Sequence, residues 1–405
     1  MIFIKKFICG TSSNLAFDIN DDIYGWGHNY NGQLGLPEKF DTKEFIEPRK
    51  LPYKFKKIYP GAIAYYAIDH LDNAYSWGYG LDGRLGLGDE IDRYQPTKIG
   101  YKFKKFLYCH STCFARGING ETYCWGSTHH NSLSFKSVNE CIFMPFKLKY
   151  KFRRVQSGLY VYFARDEDNK LYCWGCNGRG QLGIGEKMGY NDEIILPITK
   201  FKHSVNFKKI KLTDWTIFAK NADDIWSHCW GYNYHGELGL GDTIDRNIPH
   251  KMNHSFVDII TYDVAVYGID KQKNTYYWGY SDCNVITIPC LLNYKFDHIF
   301  MGREFTVALD ADNNIFINEH DGFSSDRSKF KKESEFVKII PSDYSIAINH
   351  SNEIYYKGYT WISHEEFIKL KSIKFGNDEY FKKNLKKNNN KYVDTIIITS
   401  QYTWQ

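Results

Sequence analysis

The chain contains no uninterrupted run of eighteen apolar residues, so no membrane-spanning helix is expected. It carries no Gly-x-Ser-x-Gly, no Gly-Lys-Ser/Thr phosphate loop and no His-Glu-x-x-His. Nothing in it assembles a nucleophile, a base and an oxyanion donor, so no catalytic residue, metal set or cofactor is expected. Net charge is only +5, from 52 Lys and Arg against 47 Asp and Glu, too small for a general polyanion field. Direct nucleic-acid binding is therefore not expected. The opening MIFIKKFICG is apolar but short and lacks a following small-residue cleavage site, so it reads as a first strand. Helical periodicity is missing up to about residue 360. The ten cysteines include Cys173-x-x-Cys176, but no second Cys-x-x-Cys stands at zinc-ligand spacing.

What the chain has instead is a repeat. Trp-Gly recurs at Trp26, Trp77, Trp125, Trp174, Trp230 and Trp278, with spacings of 51, 48, 49, 56 and 48 residues. A period near fifty means an array of similar small modules, each leaning on its neighbours to bury its apolar face. Four copies continue alike: WGHNYNGQLGL, WGYGLDGRLGLGD, WGCNGRGQLGIG and WGYNYHGELGLGD. A second shared piece consists of two alternating apolar runs joined by a polar turn, as at Asp18–Asp22, Asp69–Asn73, Asp166–Lys170 and Asp310–Asn314. That pattern predicts a β-hairpin. The hairpin occurs eight times, counted at Gly10, Gly61, His110, Gly158, Asp214, Asp263, Gly302 and Asp343, and the last two copies lack the Trp. Radial repetition is one way such sheets protect their edges, so an all-β propeller is expected.

The Trp-Gly followed by Asn-x-x-Gly-x-Leu-Gly, as in Asn29, Gly32, Leu34 and Gly35, resembles the RCC1 (regulator of chromosome condensation) repeat family. The resemblance covers roughly residues 3 to 360 and implies an RCC1-like β-propeller. Seven blades are usual for that family, against the eight repeats counted here. The propeller is expected over residues 1–374. Residues 375–405 then hold a Lys/Asn-rich basic segment and a candidate closing strand, Tyr392 to Ser400. The family's founding member further implies guanine-nucleotide exchange on a Ran-like small GTPase. The family's exchange face uses a His in a Gly-x-x-His-Thr segment. The aligned stretches CGTSSNLAF, PGAIAYYAI, SGLYVYFAR and MGREFTVAL lack it, which weighs against exchange. An ultraviolet photoreceptor would need clustered tryptophans, whereas the Trp-Gly residues recur once per repeat.

The alignment also disposes of several lookalike motifs. Gly78, Gly80 and Gly83 spell G-x-G-x-x-G, but the place of Gly80 is Asn29, Asn177 or Asn233 elsewhere. The reading is a repeated turn whose residue tolerates positive φ. Asp310, Asp312 and Asn314 mimic a calcium loop without its Gly and Glu, and fall in the hairpin turn. Cys124, Cys173 and Cys229 all precede the Trp of Trp-Gly, a packing position filled elsewhere by Gly25, Ser76 and Tyr277.

One feature is not demanded by the fold. A basic pair in an aromatic frame stands before the first strand of several repeats: YKFKK, YKFKK, YKFRR and NFKK, with Phe330–Lys332 as a related copy. Alternation would bury Tyr53 and Phe55 and expose Lys54 and Lys56. Rotational repetition would then set Lys56, Lys57, Lys104, Lys105, Arg153, Arg154, Lys208 and Lys209 on one face as a basic ring. The bland reading is lysine-rich edge protection. The sharper one is a platform for a protein partner, either a small GTPase or an acidic protein surface. The expected function is thus a non-enzymatic interaction scaffold, with GTPase exchange as the alternative. The chain is expected to be intracellular, cytoplasmic rather than nuclear.

Overall fold

The computed structural model describes residues 2–10, 13–37, 46–61, 63–128, 141–158, 161–185, 195–203, 206–213, 215–281, 284–301, 305–319, 330–340, 345–349, 351, 353–357, 368–375 and 396–398. The described chain is strand and turn throughout, apart from one 3₁₀ turn at Leu81–Gly83. Among the described residues no helix is long and apolar enough to cross a membrane.

The strands follow one another as antiparallel four-stranded meanders. The first is β1 (Ile2–Cys9), β2 (Ser13–Asp18), β3 (Ile23–Gly27) and β4 (Ile46–Lys50). The second is β5 (Lys57–Pro60), β6 (Ala64–Ile68), β7 (Asn73–Gly78) and β8 (Arg93–Cys109). The long β8 serves twice: its first half pairs with β7 and its second half opens the third meander with β9 (Thr112–Gly117), β10 (Thr122–Ser127) and β11 (Cys141–Lys147). The fourth is β12 (Phe152–Ser157), β13 (Val161–Asp166), β14 (Leu171–Cys176) and β15 (Ile195–Lys200). The fifth is β16 (Lys209–Leu212), β17 (Thr216–Lys220), β18 (Trp226–Gly231) and β19 (Arg246–Phe256). The sixth is β20 (Asp258–Tyr262), β21 (Ala265–Ile269), β22 (Asn274–Ser281) and β23 (Asn284–Lys295). The seventh is β24 (His298–Met301), β25 (Phe305–Leu309), β26 (Ile315–Glu319) and β27 (Lys331–Glu333), and the eighth is β28 (Phe336–Ile340), β29 (Ser345–Asn349), β30 (Glu353–Lys357) and β31 (Ile368–Phe375). Of the segment beyond residue 375, only β32 (Ile396–Ile398) lies within the described residues, and it pairs parallel with Phe7–Cys9 of β1. Strand β31 pairs parallel with Ile2–Ile4 of the same β1.

The meanders fall into two compact units, the first to third with the eighth in one and the fourth to seventh in the other. Within each unit the repeat motif explains itself. In five meanders the central hairpin turns on an Asp whose carboxylate caps the turn, while Gly117 and Asn221 hold that place in the third and fifth. Asp69 Oδ1 accepts from the amides of Leu71 and Asn73, both at 2.8 Å, and Asp72 takes the left-handed conformation at φ 61°. Asp310 does the same for Asp312 and Asn314, so its carboxylate is committed to the turn.

Each Trp of Trp-Gly is buried, and all but Trp26, which meets Phe7 edge-on at 6.1 Å, lie against a Phe that opens their meander. Phe55–Trp77, Phe103–Trp125, Phe152–Trp174 and Phe207–Trp230 stack at 5.7 Å, and Phe256–Trp278 at 5.2 Å. The indole N–H donates to the preceding repeat's loop: Trp77 to the Gln33 carbonyl (3.1 Å), Trp125 to Arg84 (2.8 Å), Trp230 to Gln181 (3.0 Å) and Trp278 to Glu237 (2.8 Å). The Leu of the loop is buried in the same seam, and its amide bonds to the Asn side chain, as in Leu34 to Asn29 (2.9 Å). The second Gly must be Gly because the indole lies across it: a Cβ on Gly183 would sit 2.5 Å from Trp230 Nε1, at φ 66°.

Gly80 corrects the sequence reading. Its φ is −98°, so positive φ is not what Asn and Gly share at this place. Asn serves there as a side-chain acceptor, whereas Gly80 serves close approach, since a Cβ would meet the Ile91 carbonyl oxygen at 2.4 Å. The cysteines before Trp behave as packing residues. Cys124, Cys173 and Cys229 are buried, and Cys229 Sγ donates to the Leu238 carbonyl at 3.4 Å, where Ser76 Oγ donates to Leu85 at 2.7 Å. Burial pushes the Cys173 thiol up to about 12.

Candidate partner-binding surface

The basic pairs enter the structure through their neighbours. In each of four meanders a buried Phe precedes the pair and a buried apolar residue follows it: Phe55 and Ile58, Phe103 and Phe106, Phe152 and Val155, Phe207 and Ile210. With its flanks anchored, the backbone turns the pair outward. Lys56, Lys57, Lys104, Arg153, Arg154, Lys208 and Lys209 are exposed, and Lys105 is half-buried. Tyr53 is half-buried and Phe55 buried, while Lys54 and Lys56 are exposed, as alternation predicts. Register makes the four pairs equivalent. Lys57 pairs with Ile68, Lys105 with Arg116, Arg154 with Arg165 and Lys209 with Lys220, always eleven residues on.

The first residue of a pair is partly spent inside its own meander. Lys56 Nζ meets Asp72 Oδ1 at 3.1 Å, Arg153 donates to Asn169 Oδ1 at 2.9 Å, and Lys208 bonds to Asp224. Each acceptor is the left-handed residue of the hairpin turn. In the third meander that place is Gly120, so the tether is missing for Lys104. Lys208 and Lys220 together hold the Asp224 carboxyl below its usual range. Such exposed pairs add little stability. Among the described residues, Lys57, Lys104 and Arg154 meet no acidic group. Lys209 Nζ lies 5.7 Å from the Trp226 ring centroid.

Two features of the surface differ from the sequence expectation. Lys331 and Lys332 lie in β27, the outer strand of the seventh meander, so Phe330–Lys332 is not a copy of the pair. The series also stops at the fifth meander, because the sixth and seventh carry Val257–Asp258 and Asp297–His298 at that place, and Asp297 is paired with Lys273 at 2.9 Å. One counterpart was missed. Lys5 and Lys6 repeat the geometry in the first meander, with Lys6 paired to Phe17 and Lys5 bonded to Asp21 at 2.8 Å. Burial, then Lys57 and Lys5, lower the Lys6 ammonium. The doubled Lys before Phe7 was the available signal, hidden by the absence of the Tyr-x-Phe frame.

Models of the regulator of chromosome condensation (RCC1) repeat match residues 72–110, 152–181 and 168–210. The chain is 28% identical over 270 residues to the ultraviolet-B receptor UVR8 of Arabidopsis thaliana, covering 64% of this chain and 59% of that protein. It is 24% identical over 277 residues to the human E3 ubiquitin-protein ligase HERC2, covering 64% of this chain and 6% of the ligase. It thus spans about three fifths of the receptor and a small part of the ligase. Among solved structures it is similar to Prp20p of Saccharomyces cerevisiae, studied for its binding to Gsp1p and histones, with TM-score 0.53, 18% identity, and 74% and 78% of the two chains covered. Yeast RCC1 (Prp20) bound to Kap60 superposes with TM-score 0.56 at 18% identity, over 76% of this chain and 77% of that one. At that identity the likeness speaks for the fold alone. The repeats, the meanders and these similarities agree on an all-β, RCC1-like propeller fold, with RCC1 repeats matched at residues 72–110 and 152–210.

Proposed function

We propose that this protein is a non-enzymatic interaction scaffold that holds a protein partner with an acidic surface through its basic pairs. One observation carries the reading: an outward basic pair recurs at one register position in successive meanders, anchored on both sides by buried apolar residues. Like charges repeated at one place sum to a field that steers an acidic partner even where net charge is small. Lys57 and Lys104 in one unit, and Arg154 and Lys209 in the other, carry most of it, since Lys56, Arg153 and Lys208 are tethered to their hairpins. In this reading each of the eight meanders is one blade, one more than the seven usual in the family.

The test is capture of acidic partners from source-cell extract by the intact chain, at low and high salt. Reversal of Lys57, Lys104, Lys105 and Arg154 to Glu should leave thermal unfolding unchanged and sharply reduce capture at low salt. Capture indifferent to both salt and reversal would end the proposal. The alternative, nucleotide exchange on a Ran-like GTPase, draws support from the fold shared with Prp20p. Against it stands the missing His at the start of the hairpins. Acceleration of fluorescent-nucleotide release from a Ran-type GTPase by substoichiometric protein would favour exchange over scaffolding.

A further inference from the structure

The third meander turns more tightly than its neighbours. The amides of Gly10, Gly61, Gly158 and Thr213 bond to a carbonyl three residues on, at Ser13, Ala64, Val161 and Thr216. His110 bonds instead to Thr112, two residues on. A register irregularity between Phe106 and Tyr108 accompanies the change. Together they bring Cys109 and Cys113 into direct opposition across the β8–β9 ladder. The corresponding partners elsewhere are Cys9 with Asn14, Pro60 with Tyr65, Ser157 with Tyr162 and Leu212 with Ile217. Directly opposed antiparallel residues have Cα atoms about 4.5–5.5 Å apart, inside the roughly 4.4–6.8 Å that a disulfide spans. Both cysteines are free thiols, and they stand directly opposite each other across the ladder.

The surroundings give this pair a consequence. Cys113 is fully buried, and its thiol donates to Tyr66 Oη at 3.0 Å and to the Arg84 carbonyl at 3.4 Å. That carbonyl also accepts from Tyr66 Oη and Trp125 Nε1, both at 2.8 Å. It is the point at which the second repeat's loop is held on the third meander. We propose that Cys109 and Cys113 form a reversible thiol–disulfide site, oxidised by a small disulfide such as oxidised glutathione, and that closing it loosens the loop's hold on Trp125.

The exchange balances in two steps. The half-buried Cys109 reacts first: its thiolate attacks one sulfur of the glutathione disulfide, giving a mixed disulfide, and the departing glutathione thiolate takes up a proton. The Cys113 thiolate then attacks the Cys109 sulfur and displaces the second glutathione. Two protein thiols become one disulfide, and one glutathione disulfide becomes two thiols. Burial, then the neighbouring Cys113, raise the Cys109 thiol, so exchange is slow at neutral pH and quickens as pH rises. Only three residues separate the two sulfurs along the chain, which constrains the bond and favours its reduction. Closure also consumes the S–H that Cys113 donates to Tyr66 and Arg84.

The intact chain is incubated at mildly alkaline pH in glutathione buffers running from reduced to oxidised, acid-quenched, alkylated and digested. Mass spectrometry should find Cys109 joined to Cys113 with loss of two hydrogens, reversed by reductant and absent from C109S. Amide exchange at Gly86 and Gly88, which bond to Gly83 and Phe143, should quicken several-fold on oxidation. If C113S fails to fold, C109S alone decides, because it leaves the Cys113 contacts in place. Two cysteines that stay alkylatable in the folded chain at the most oxidising ratio would overturn the site. So would a glutathione adduct on Cys109 that never closes. Exchange at Gly86 and Gly88 unmoved by a closed disulfide would overturn its link to the loop.

Discussion

Replacing Glu237 by Gln is expected to stabilise the protein, by an amount that grows with pH. The position precedes the Leu-Gly of the loop and is Gln33 in the first repeat and Gln181 in the fourth. There the side-chain Oε1 accepts from the amide of Asn31 (3.0 Å) or Arg179 (2.7 Å). Glu237 Oε2 accepts from His235 in the same way at 3.0 Å, but at 1% exposure its Oε1 has no partner. Burial is the main force pushing this carboxyl up to about 8, with Asp245 and Asp263 adding to it and the amides of Glu237 and His235 opposing. The folded chain therefore keeps the carboxyl protonated up to about pH 8, whereas the unfolded chain releases the proton near 4.5. Across that window the folded state binds the extra proton, so stability falls as pH rises, by about 1.4 kcal/mol per pH unit. With loop relaxation and water entry allowed for, the loss by the top of the window is on the order of 3 kcal/mol. Urea unfolding of wild type and E237Q, followed by tryptophan emission, should show close midpoints near pH 5. A gap favouring the variant should open toward pH 8. His235, Asp245, Asp263 and Arg179 are common to both proteins and largely cancel. Parallel pH profiles would refute the buried, protonated Glu237.

Two further outcomes follow from the packing. Gly183→Ala places a Cβ against the Trp230 indole at a left-handed φ, so urea unfolding should show a loss of about 2–4 kcal/mol, and a loss under about 1 kcal/mol would contradict the seam. Deleting residues 392–405 removes the strand paired with Phe7–Cys9 and should broaden thermal unfolding and raise light scattering, whereas an unchanged melt would show that pairing to be dispensable.

Much of the fold is legible in the chain because its cause is local and repeated. The Trp-Gly period marks each meander. The Asp-led turns predict the hairpins, since an Asp carboxylate capping its own turn requires nothing distant. Alternation within Tyr101–Lys104, inside β8, matches which side chains are buried, because a strand's two faces follow from its backbone. What escaped is what depends on a neighbour. The reason for Gly80 is the Ile91 carbonyl arriving from eleven residues away, not a φ that its own identity announces. Phe330–Lys332 has the letters of a basic pair, yet pairing with β26 makes it an outer strand. Whether Lys56 is available or tied to Asp72, and whether Glu237 is charged, follow from distance and dielectric, which only packed meanders define. Cys109 and Cys113 stand four apart, an unremarkable spacing until a shortened turn and a register irregularity set one across from the other. Periodicity in the chain determined the kind of fold, and tertiary contacts decided the chemistry of individual side chains, because a pKa, a tether or a thiol pair belongs to two partners at once.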